Sequence, residues 1–141
     1  MTDTINLDLI CARNGYKLTI LVVAEIQKSN TKEKKEKTAK IAENFITRIL
    51  GVLQEHGIYA AFLLLAARKE IGGKELGITL IQTLKETNIY DLGQYESVLE
   101  TLKQENGLLT SVSTMLLAKQ VLEQTLIYAR YHAKAEGATN E

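Results

Sequence analysis

No proline occurs anywhere in the 141 residues, and apolar residues recur at spacings of three and four along almost the whole length. The missing proline removes the strongest helix breaker, and that spacing places apolar side chains on one face of a helix of 3.6 residues per turn. Together they point to an all-α chain punctuated by glycine and Asn-rich spots. The 45% hydrophobic and 24% charged residues match a globular composition, so a bundle of about six helices in a single domain is expected.

The clearest stripe is Ala42, Phe45, Ile46, Ile49, Leu50 and Leu53, with Glu43, Arg48 and Gln54 off it. Glu33–Lys37 and Glu36–Lys40 are i,i+4 pairs in the favourable order, which starts this helix near Thr31 or Lys32. His56 and Gly57 break it. A second helix then runs from Ile58 to about Glu70, ending at Gly72 and Gly73. Further helices are expected over Lys74 to Thr87, Leu92 to Gln104 with Asp91 as a candidate N-cap, and Leu108 to Ala135. Gly107 suits a left-handed helix stop. In the long last helix, Leu109, Val112, Leu116, Leu122, Leu126 and Ala129 are expected to form the buried face.

The beginning is ambiguous. Asn14-Gly15 is a strong hairpin signal, but Leu7, Ile10, Cys11, Leu18, Leu21, Val22 and Ile26 fall on one helical face and no partner strands follow. A helix interrupted or kinked near Gly15 is the favoured reading. Residues 1–30 would then form an N-terminal helical segment, 31–137 the core of the bundle, and 138–141 a flexible tail.

Several function classes find no support. The acidic start MTDTINLDLI lacks the basic region of a signal peptide. The longest apolar run, Ile58 to Ala67, is about half the ~20 residues that span a bilayer. Cys11 is the only cysteine, so no internal disulfide is expected, and a cytoplasmic location fits. His56 and His132 stand in no metal-ligand spacing, and Gly72-Gly73-Lys74 has Arg68 and Glu75 where a phosphate loop needs Gly and Ser or Thr. His56 reads as a structural histidine in a last helical turn. No catalytic residue, cofactor or metal is expected.

Binding is better represented. Residues 28–40 hold six lysines against Glu33 and Glu36, although the net charge of the chain is zero. Such a run neutralises phosphates, or it is a solvated helix start whose glutamates pair with the lysines, which is the favoured reading. In TLIYARYHAKAEG, Arg130 and Lys134 lie one turn apart among Tyr128, Tyr131 and His132. That surface suits a nucleic-acid backbone with rings packed beside it, and it suits equally well a last turn whose cations favour the helix dipole.

An amphipathic helix leading into GVLQEHGIYAAFLLLAARK, then GITLIQTLKE, YESVLETLKQ and a closing LLAKQVLEQTLIYARYHAKAEG, resembles the small subunit of type III-B CRISPR effector complexes. The resemblance covers roughly residues 38–137. Gly57 and Ile58 stand at the glycine-led start of the apolar helix, and Arg68 or Lys69 at its basic closure. Tyr128, Arg130, His132, Ala133 and Ala135 stand at the ending, with Tyr128 where the family usually has tryptophan. A small subunit of a related type III subtype fits as well. The resemblance implies a non-catalytic protein that stacks head to tail with copies of itself and with other effector subunits. It would line the path of the guide RNA and target RNA, touching backbone rather than bases. Lys40, Arg48, Arg68, Lys69, Arg130 and Lys134 are the expected RNA-binding residues. A helical adaptor that binds only protein is the alternative.

Overall fold

The computed structural model describes residues 6–29 and 35–138. Six α-helices follow in order: α1 (Leu7–Ser29), α2 (Lys35–His56), α3 (Ile58–Ala67), α4 (Gly73–Glu86), α5 (Val98–Leu102) and α6 (Val112–Ala138). Three 3-10 turns, Lys69–Ile71, Tyr95–Ser97 and Leu108–Thr110, join the shorter pieces, and the described residues contain no strand. None of these helices is long and apolar enough to cross a membrane. The start of α2 near Thr31, the lysines at 32 and 34, and most of the tail at 138–141 lie outside the described residues.

α1 is capped by Asn6, whose Oδ1 accepts the Leu9 N–H at 3.0 Å. It then runs without interruption through Asn14 and Gly15, where the sequence reads as a break. The reason is tertiary. A Cβ on Gly15 would lie 2.8 Å from the Cβ of Tyr128 and 2.9 Å from the Thr125 carbonyl oxygen. Gly15 therefore lets α1 press against the backbone of α6. Thr19 beside it donates to the Ala129 carbonyl at 2.9 Å, and Asn14 is buried with its amide donating to Thr83 Oγ1 at 2.9 Å.

α6 forms the spine. It runs parallel to α1, with Cys11 at Val121 and Thr19 at Ala129. It runs antiparallel to α2, where Lys119 Nζ donates to the Gln54 carbonyl at 3.1 Å and Gly137 faces Ala39. α3 and α4 close the other side of α1 and α2. Ala42, Phe45, Ile46, Ile49, Leu50 and Leu53 of α2 are all buried as their spacing implies, and each large aliphatic stabilises the fold by about 1.5–3 kcal/mol.

Several boundaries differ from the sequence reading. α3 stops at Ala67 rather than Glu70, because the chain tightens into the 3-10 turn at Lys69. The helix expected from Leu92 is only the 3-10 turn at Tyr95 plus α5: Gly93 takes φ 75°, and Asp91 accepts the Gly93 N–H at 2.9 Å in a turn instead of capping a helix. Gly107 has φ −89°, so it is not the left-handed stop its position suggests. Val112 and Leu116 are 66% and 55% exposed rather than part of the buried face. Leu116 precedes Leu122 by six positions, which at 3.6 residues per turn sets them about 120° apart around the helix. The buried line of α6 is Ala118, Val121, Leu122, Leu126, Ala129 and Ala133.

Candidate nucleic-acid interface

Arg48 and Arg68, twenty positions apart, line one shallow groove. On α2, Ile41, Asn44, Phe45 and Arg48 follow the i, i+3, i+4, i+7 spacing that places them on one edge of a helix. Opposite them, Arg68 leaves α3 with φ −123° and ψ 52°, and Ile71 closes the turn behind it. The groove holds about 200 Å³. Ile41, Phe45 and Ile71 make its apolar walls, and the two guanidinium groups with Asn44 make its polar part. A guanidinium is a planar fork of N–H donors that matches a phosphate's oxygens, and apolar walls beside it suit a ribose.

The two arginines are not equally free. Arg68 Nε donates to Glu70 Oε1 at 3.0 Å. The Glu70 carboxyl is held below its usual range by its own backbone N–H first, and then by the Arg68 bond and charge. Arg48 is exposed and has no carboxylate partner among the described residues.

Lys40 shares the exposed side of α2, two turns before Arg48, and pairs with Glu43 at 3.6 Å. Arg130 and Lys134 stand on the antiparallel neighbour α6, alongside the N-terminal half of α2. The Arg130 guanidinium lies 5.9 Å from the centre of the Tyr131 ring, a cation–π distance. Of the aromatic residues at this ending, only Tyr131 is left exposed. His132 meets the Tyr16 ring edge-on at 5.1 Å, and the Tyr128 hydroxyl donates to Asp8, a bond that raises the phenol's pKa. His56 ends α2 in solvent, its Nε2 3.8 Å from Glu55.

Lys69 is not part of the arginine groove, although it follows Arg68 directly. The turn at Arg68 sends the next side chain to a different cavity, lined also by Lys74 and Tyr95. Spacing alone could not reveal that division, nor Asn44 and Ile71 as groove residues; the edge position of Asn44 one turn before Arg48 was the only signal.

Tyr95 in that second cavity carries the one buried side-chain hydroxyl without a hydrogen-bond partner among the described residues. An unsatisfied buried polar group costs about 1–3 kcal/mol. Tyr95→Phe is therefore expected to raise stability by about 1 kcal/mol. An unchanged or lower thermal midpoint would show the hydroxyl to be satisfied.

The fold and groove define an all-α bundle with paired arginines on one edge. No protein-family model matches the chain, and no curated protein and no solved structure matches it.

Proposed function

We propose that this chain is a non-catalytic small subunit of a type III CRISPR RNA-guided effector complex, in the cytoplasm, contacting the guide–target RNA backbone. Arg48 and Arg68 are its principal phosphate ligands, with Lys40 on α2 and Arg130 and Lys134 on α6 as further contacts outside the groove. Lys69, also expected to touch RNA, lies off the arginine groove and lines the neighbouring cavity. The observation that carries this reading is the meeting of Arg48 and Arg68 over an apolar groove. Guanidinium forks beside apolar walls suit a sugar–phosphate backbone of any sequence. The net charge of zero is compatible, because one subunit needs both a basic strip and patches for protein neighbours.

The test uses the assembled complex. Arg130→Glu with Lys134→Glu is expected to weaken target-RNA binding several-fold and to flatten its dependence on salt, while circular dichroism keeps the helical signal. An unchanged affinity and salt slope would remove these two residues from the RNA path.

A helical adaptor that binds only protein is the second reading. It is supported by Val112, Leu116 and Leu117, which are exposed at the start of α6, and by Leu7 of α1, which lines a cleft with Leu117. Contiguous exposed apolar residues mark interaction surfaces. Absence of RNA from the complex purified with its partners would favour the adaptor.

A further inference from the structure

The second cavity is larger than the arginine groove and shares no residue with it. It holds about 450 Å³, within the range of small-molecule sites. Phe62 and Ala66 of α3 with Val98 and Leu99 of α5 give it apolar walls, and Lys69 and Lys74 bring two ammonium groups. Tyr95 is seated by an absent side chain: a Cβ on Gly77 would lie 2.3 Å from its Cε1. Lys74 is paired with Glu96 at 3.6 Å. Lys69 has no carboxylate partner among the described residues.

We propose that this cavity binds a small organic anion with an apolar body. The body rests on Phe62, Ala66, Val98 and Leu99, and its carboxylate or phosphate pairs with Lys69. Tyr95 lines the cavity, while its hydroxyl is buried and has no hydrogen-bond partner among the described residues. Burial first, then the carboxylates of Glu75 and Glu96, push the phenol's pKa up, so Tyr95 stays neutral beside the anion. Glu96 opposes the anion by occupying Lys74, which makes Lys69 the principal cation of the site. The site stands independently of the RNA reading.

The full chain is titrated with 8-anilinonaphthalene-1-sulfonate, an apolar anion whose fluorescence rises on leaving water. Saturable one-to-one binding is expected. Lys69→Glu should raise the dissociation constant about tenfold, the size of one charge-assisted contact, and Ala66→Leu should weaken binding by filling the cavity. Glu96→Gln, which releases Lys74, should tighten it two- to threefold, and Arg48→Glu should leave it unchanged. Phenyl phosphate should displace the dye far better than phenol. Absence of saturable binding overturns the proposal, as does unaltered affinity in Lys69→Glu or equal displacement by phenol. Lys69 is exposed, so its variant keeps the test decisive if Ala66→Leu fails to fold. Loss of RNA binding in Arg48→Glu with dye binding intact separates this site from the groove.

Discussion

If the chain contacts RNA as proposed, reversing both groove arginines, Arg48→Glu with Arg68→Glu, is expected to lower the affinity for duplex RNA by more than about tenfold in 0.1 M salt and to leave the helical content unchanged. Each phosphate contact removed takes away roughly 0.7–0.9 from the slope of log affinity against log salt concentration, so two contacts flatten it by about 1.5. Neither side chain holds the core: Arg48 is exposed, and Arg68 is half-buried and pairs with the surface Glu70. The single variants need not be additive, because both line one groove and would share one stretch of backbone. Glu70→Gln should act in the opposite direction, since it releases the Arg68 guanidinium now bonded at 3.0 Å. The measurement is RNA binding by the assembled complex at several salt concentrations, with circular dichroism as the control for folding. A double variant with native affinity and native slope would sink the groove as the RNA contact and leave the adaptor reading in front.

The legible part of this chain is the part that depends on one helix at a time. The stripe from Ala42 to Leu53 buries because a proline-free amphipathic helix has one face to hide, and the break at Gly57 follows from its φ of 92°. The parts that resist reading depend on what a second element does. Asn14-Gly15 has the chemistry of a turn, yet Gly15 is where α1 presses against the backbone of α6. Leu92 belongs to an apolar spacing that looks helical, yet it is buried from within a turn. Arg68 and Lys69 read as one basic closure, but a helix end rotates consecutive side chains by large angles. That single turn gives one cation to the α2 groove and the other to the Tyr95 cavity.

The corner that makes this division can itself be tested. Gly73→Ala is expected to destabilise the protein by about 3 kcal/mol, the upper part of the usual cost of overpacking. A Cβ there would lie 2.2 Å from the Leu65 carbonyl oxygen and 2.7 Å from that of Arg68. Both are backbone atoms at the end of α3, so no side chain can swing away to make room. Relief requires α4 to move from α3, which also loosens the bond from the Gly73 N–H to the Arg68 carbonyl, 3.1 Å in the native corner. Since small proteins hold only about 5–15 kcal/mol in total, the loss is a large share. In urea it should lower the unfolding midpoint by roughly 1–3 M with the slope unchanged. Gly51→Ala is the matched control. It makes the same substitution inside α2, where nothing lies within 4 Å of the new methyl, and it should stabilise by about 0.5–1 kcal/mol through helix propensity. If Gly73→Ala kept the native midpoint, the tight contact between α3 and α4 would not exist in solution. The separate placement of Arg68 and Lys69 would then lose its structural cause.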